Sequence, residues 1–264
     1  MKKTLSSNGC AIAYDISRID GAQTVVLLHG YGVHRAMWQD QFELLRQTRT
    51  VLNIDVRGHG ESRPCATFSI PEAAEDLRGI LVREGAENAV LIGLSMGGYI
   101  VQEYAFRYGG ASGYMLIGDT PVLLDCYTRL EMNLLKHSAS LFKPYPWNYL
   151  KQVMTNACVL DSAARARVRP MFDRMTKREF IAFWHGISVC IHPEAFQFDA
   201  PLFVSCGEKD KTGTIMKCMP EWEKHYQNCT TLRFPNAAHV ANLDNPDAVN
   251  RAILDFLARC AANG

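Results

Sequence analysis

The sequence predicts an α/β protein whose central sheet is mostly parallel and covered by helices. Three observations lead there. Short apolar runs alternate with amphipathic stretches along most of the chain. Several of those runs are apolar almost throughout, as strands buried on both faces are. Each motif with chemical promise falls directly after such a run, at the edge where open α/β sheets bind ligands.

The expected strands begin with "CAIAYDIS" (10–17), "TVVLLHG" (24–30) and "TVLNIDV" (50–56). They continue with "NAVLIGL" (88–94), "GYMLIGD" (113–119), "PLFVSCG" (201–207) and "TTLRF" (230–234). Helices fall between them. "SIPEAAEDLRGILVREG" has Ser69 as N-cap and Glu72 three residues on, the spacing of a capping box. "NPDAVNRAILDFLARC" opens on Asn245 as cap and Pro246 at the first helical position. Its Val249, Ile253, Phe256 and Leu257 recur at helical spacing, so this helix packs on the sheet.

Residues 121–196 break the alternation and show only helical patterns. Among them are "LLDCYTRLEMNLLKHSASLF", "WNYLKQVMTNAC" and "TKREFIAFWHGIS", the last with Thr176 and Glu179 spaced as a second capping box. The expected organisation is a core over 1–120, a helical cap over 121–196 and the rest of the core over 197–264.

Composition narrows the function. The chain has 264 residues, 48% of them hydrophobic, enough for one large core or a core with a modest lobe. A formal net charge of +1 favours neither nucleic acid nor an anionic membrane as partner. The nine cysteines are scattered and form no C-x-x-C pair, which predicts reduced thiols rather than a disulfide framework or a zinc site. No signal peptide and no membrane-spanning run is evident, so a cytoplasmic protein, monomer or homodimer, is expected.

The chemistry starts at "VLIGLSMGGY" (90–99), where a buried strand runs into Gly93-Leu94-Ser95-Met96-Gly97-Gly98. A glycine-rich helix cap explains this stretch. So does a nucleophile elbow, in which Ser95 occupies a strained turn that flanking side chains would obstruct. Three motifs in order favour the elbow. His29-Gly30-Tyr31-Gly32 follows a strand, and its Tyr31 N–H, with that of Met96, is the expected oxyanion donor. Gly207-Glu208-Lys209-Asp210 ends another strand, and Asp210 there suits the acid that orients a histidine, with Asp119 in "IGDTPV" as competitor. His239 in "PNAAHVANLDNP" lies beyond both, giving the order Ser…Asp…His that accompanies an elbow.

Together "LLHGYG", "DVRGHGESRP", "GLSMGGY", "GEKD" and "HVANLDNP" closely resemble the α/β-hydrolase superfamily over nearly the whole chain. The resemblance implies the α/β-hydrolase fold: a mostly parallel eight-stranded sheet, one antiparallel strand near the N-terminus, and a helical cap inserted after the sixth strand. It implies Ser95, Asp210 and His239 as triad, with Tyr31 and Met96 at the oxyanion. The serine sets the chain in the serine-nucleophile branch, most similar to 3-oxoadipate enol-lactonases and small carboxylesterases. Asp244 stands where many relatives carry glutamate, a position outside the chemistry.

The expected activity is a serine hydrolase cleaving a small ester or lactone without cofactor or metal. A carbon–carbon bond hydrolase of a ring-cleavage pathway and a small-molecule receptor are the alternatives. Arg57 and His59 in "DVRGHGES" are read as loop-shaping residues, and Arg165, Arg167 and Arg169 as a solvated face. Trp147 and Trp184 of the cap are the expected substrate contacts.

Overall fold

One eight-stranded sheet, in the order β1-β2-β4-β3-β5-β6-β7-β8, organises the molecule. The structure is a computed structural model, and it describes residues 1–262. β1 (Lys2–Ser7) and β2 (Cys10–Ser17) form an antiparallel hairpin, and β2 also runs antiparallel to β4 (Thr50–Ile54). β3 (Thr24–Leu28), β5 (Val90–Leu94), β6 (Gly113–Ile117), β7 (Leu202–Gly207) and β8 (Cys229–Phe234) all pair parallel. β2 is therefore the one strand that opposes the rest. Every residue of β4, β5, β6 and β7 is buried, which is why these segments read as unbroken apolar runs.

β1 was not among the expected strands. "KKTLSS" alternates exposed and half-buried residues on the sheet edge, so it carries no apolar run to betray it. Helices flank the sheet: α1 (Gln39–Leu45), α2 (Ile70–Glu84) and α3 (Met96–Arg107). At the start of α2, Ser69 Oγ accepts the Glu72 N–H at 3.3 Å, but the Glu72 carboxylate turns to the Ser69 and Thr67 hydroxyls and to Arg57. The capping box read from spacing is thus half formed, because a buried cation competes for its acid.

Between β6 and β7 the regular elements are all helical: α4 (Arg129–His137), α5 (Trp147–Cys158), α6 (Ser162–Val168), α7 (Lys177–Ser188) and short 3-10 turns. The long pattern expected at 123–142 is in fact three pieces, a 3-10 turn over Leu124–Cys126, α4, and a 3-10 turn over Ser138–Phe142. Thr128 starts α4 with a complete capping box to Glu131, and Thr176 does the same for α7 through Glu179. Beyond β7 come α8 (Ile215–His225), α9 (Ala241–Asp244) and α10 (Pro246–Ala262), where Asn245 Oδ1 accepts the Ala248 N–H.

The expectation of reduced thiols fails at one pair. Cys10 and Cys65 are joined, although nothing in their spacing or surroundings in the sequence pairs them. The hairpin strand β2 and the loop after β4 bring their Cα atoms to 5.0 Å, a separation that only the tertiary fold creates. The other seven cysteines are free. Among the described residues no helix is long and apolar enough to cross a membrane.

Candidate active site

The turn between β5 and α3 holds Ser95 at φ 52°, ψ −117°, a backbone state that costs a non-glycine residue about 1–3 kcal/mol. Its flanking glycines show why the turn is so tight. A Cβ on Gly93 would stand 2.4 Å from Gly97 carbonyl atoms, and one on Gly97 would stand 2.2 Å from the Leu28 carbonyl oxygen. Both contacts are with backbone, so neither can relax cheaply. Ser95 itself is partly exposed and its hydroxyl has no hydrogen-bond partner among the described residues.

The loop after β3 lies against this turn. A Cβ on Gly30 would be 3.7 Å from Ser95 Cβ. His29 holds the loop: its Nδ1 lies 2.7 Å from the Gly30 carbonyl, and its Nε2 accepts the Val56 N–H at 3.0 Å. Burial keeps this imidazole neutral, with its pKa down at about 3. The Tyr31 and Met96 N–H groups have no acceptor among the described residues. Met96 is the first residue of α3, where backbone N–H groups lack intrahelical partners and favour negative charge.

His239 lies in the loop between β8 and α9, and two strand ends close on that loop. A Cβ on Gly118, just past β6, would be 3.0 Å from His239 Nδ1. One on Gly207, the last residue of β7, would be 2.1 Å from the Ala238 carbonyl oxygen. The same His239 Nδ1 is 2.9 Å from Asp210 Oδ2, while Asp210 Oδ1 accepts the Thr212 N–H at 2.8 Å. Burial alone would raise the Asp210 pKa. The hydrogen bonds from His239 and Thr212 outweigh it and hold the carboxyl below its ordinary range.

Asp119, the rival acid, is elsewhere. Its side chain lies against Gly98, one oxygen takes the Thr120 N–H at 3.2 Å, and the other has no partner among the described residues. Burial pushes its pKa well up. The structure thus pairs His239 with Asp210 and not with Asp119.

The two tryptophans part company. Trp184 faces the loop after β3, its ring 5.5 Å from that of Tyr31, and its Nε1 donates to Ser138 Oγ at 2.6 Å. Trp147 lies behind Phe180, 5.0 Å between rings, and donates to the Met175 carbonyl. The Tyr31 hydroxyl donates to the Phe180 carbonyl, so α7 is tied to the candidate oxyanion loop.

Two neighbouring groups serve the scaffold. Arg57 is buried in a two-pronged bond to Asp76, at 2.6 and 2.8 Å, and pairs with Glu72. His59 is buried among Tyr31, Phe68 and Phe183, and burial lowers its pKa to about 3. Asp244, set aside in the sequence, is better connected than expected. Its Oδ2 accepts the Ala238 N–H at 2.9 Å, and its Oδ1 accepts the Leu160 and Asp161 N–H groups at 2.8 and 2.9 Å. No spacing in the sequence reveals that role.

An eight-stranded sheet with one opposing strand, a serine in a strained strand-to-helix turn, and a histidine paired with a carboxylate past β7 define a class of protein. The chain belongs to the alpha/beta hydrolase family, whose model matches residues 25–252, and it is a hydrolase of that family. It is 21% identical over 280 residues to 3-oxoadipate enol-lactonase 2 of Acinetobacter baylyi, covering 98% of this chain and 97% of that protein. Among solved structures it shares its fold with the enol-lactonase from Burkholderia xenovorans LB400, at TM-score 0.83 and 21% identity over 97% of this chain and 100% of that one. A thermophilic esterase from Thermogutta terrifontis is similar too, at TM-score 0.80 and 20% identity over 98% and 99% of the two chains.

Proposed function

We propose that the protein hydrolyses a small carboxylic ester or lactone through an acyl-enzyme on Ser95. The observation that carries this is the 2.9 Å contact between His239 Nδ1 and Asp210 Oδ2, in a loop closed by the strand ends beside the Ser95 turn. With Nδ1 committed to the carboxylate, Nε2 is the nitrogen left to act as base. His239 takes the Ser95 proton as Oγ attacks the substrate carbonyl, and Asp210 stabilises the imidazolium that forms. The Tyr31 and Met96 N–H groups receive the tetrahedral oxyanion. His239 then returns the proton to the leaving oxygen and later activates the water that releases the acid.

Residues 121–196 act in this reading as a cap that sets substrate size and excludes water. The substrate it favours is uncharged and short. The arginines of "ARARVRP", which would otherwise suit a second carboxylate, are engaged elsewhere. Arg167 pairs with Asp40, Arg169 with Asp173, and Arg165 donates to the Val159 carbonyl. The names of the enol-lactonase and esterase relatives support the same bond type.

A fluorophosphonate probe tests the assignment. Intact mass should show one adduct on the wild type and none at that site on Ser95→Ala, with turnover of a short aryl ester reduced about a thousandfold or more. Equal labelling of the alanine variant refutes it. A panel of aryl esters, lactones and a ring-cleavage diketone then fixes the bond; cleavage of the diketone alone would transfer the site to carbon–carbon chemistry.

A further inference from the structure

No metal-ligand spacing is present in the sequence, yet the fold gathers a set of donors away from the serine. Cys126 ends the 3-10 turn that leads from β6 into the inserted helices. Glu221 and His225 stand four residues apart in the last turns of α8, a spacing that puts both on one helix face. One ligand atom from each of the three lies within 4.8 Å of the others. His225 Nε2 is 3.3 Å from Glu221 Oε2.

We propose that Cys126, Glu221 and His225 form a Zn²⁺ site outside the catalytic centre. Thiolate, imidazole and carboxylate are the three side-chain donors that zinc takes, and three of them with a water complete a tetrahedral sphere. A thiolate ligand disfavours magnesium and calcium, which take oxygen. The charges also match. A thiolate and a carboxylate neutralise the dication, and binding releases one proton, from the Cys126 thiol.

The geometry needs only a small closure. Bonds of about 2.0–2.3 Å hold tetrahedral donors about 3.3–3.8 Å apart, so the side chains approach by about 1 Å. Nothing strong holds them back. Glu221 Oε2 also pairs with Lys224 at 3.2 Å, but that lysine is largely exposed and such a pair is weak. Glu221 Oε1 has no partner among the described residues.

The cation would fasten the first residues of the insert to α8 of the core, a structural rather than a chemical task.

Cobalt reports on this site directly. The full-length protein, stripped with chelator and titrated with Co²⁺, should take up one equivalent. It should develop sulfur-to-cobalt charge-transfer absorption in the near ultraviolet and d–d bands of four-coordinate intensity, and Zn²⁺ should displace both. Cys126→Ser should abolish the charge-transfer band. Glu221→Gln and His225→Gln, at partly exposed positions, should each weaken Co²⁺ binding about tenfold or more. A wild-type protein without the band overturns the proposal, as does a band that survives in Cys126→Ser. Should Cys126→Ser fail to fold, His225→Gln decides: unchanged Co²⁺ affinity there refutes the site.

Discussion

Asp244 accepts the backbone N–H of Ala238 at 2.9 Å, one residue before the candidate base His239. Its other oxygen holds Leu160 and Asp161, just past α5, so one carboxylate joins the inserted helices to the histidine loop. Val240 reinforces the joint by donating to the Cys158 carbonyl at 2.9 Å.

Removing that carboxylate leaves three backbone donors without their acceptor, each charge-assisted bond being worth about 1.5–3 kcal/mol. Asp244→Ala should therefore lower kcat about tenfold or more with a smaller change in KM. Amide exchange at 158–161 and 238–240 should rise together. Asp244→Glu, which keeps the carboxylate, should retain much of the rate. Exchange rising in one segment alone would show that the carboxylate does not couple them.

The acid has its own test. Asp210→Asn should leave the fold intact while reducing ester turnover about 10³–10⁴-fold, because the amide cannot stabilise the imidazolium. Asp119→Asn should be mild, since that carboxyl does not bond His239 and an amide of equal shape replaces it. Steady-state kinetics on both variants checks this, and the reverse pattern would move the acid to the end of β6.

Trp184 and Trp147 should now behave differently. Trp184 packs beside Tyr31, so Trp184→Ala should shift acyl-chain preference toward longer esters. Trp147 lies a layer further out, behind Phe180, and Trp147→Ala should leave that preference alone while costing about 1–3 kcal/mol of stability. Chain-length profiles and urea unfolding of the two variants separate the roles.

Stability should depend on pH through Glu84. Its carboxylate, 1% exposed, takes bonds from Lys3 at 2.8 Å, from the Tyr14 hydroxyl at 2.6 Å and from Arg18. Burial by itself would raise its pKa, but these donors outweigh burial and hold it below the ordinary value. A depressed folded pKa contributes stability above the unfolded pKa, which is lost as pH falls through the folded value. Glu84→Gln should therefore destabilise at neutral pH by about 1–3 kcal/mol, discounted because Lys3 and Arg18 reach solvent. Urea midpoints for wild type and variant should converge as pH falls below the ordinary glutamate range. A gap that persists in acid would assign the effect to packing.

Much of the molecule was legible before its structure. Ser69, Thr176 and Asn245 announce helix starts because a side-chain oxygen two or three residues upstream satisfies an N–H that the helix cannot. Unbroken runs such as "VLIGL" announce strands because both their faces are buried. The motifs around Ser95, Asp210 and His239 were readable for a related reason. The first sits at a turn whose shape depends on neighbours in the chain, as the contact of Gly93 with Gly97 shows.

What resisted reading depends on partners far along the chain. β1 is a strand because β2 pairs with it, not because "KKTLSS" favours one. The Cys10–Cys65 link, the turn of Glu72 toward Arg57 and the grip of Asp244 on two segments all join residues that share no local pattern. The gathering of Cys126 with Glu221 and His225 is of the same kind. Periodicity and turn chemistry act over a few residues, so the sequence determined most of the elements, their order and the candidate nucleophile, acid and base. Which side chains meet is set by how the sheet twists and how helices pack across it, so the contacts around that site were decided only by the tertiary structure.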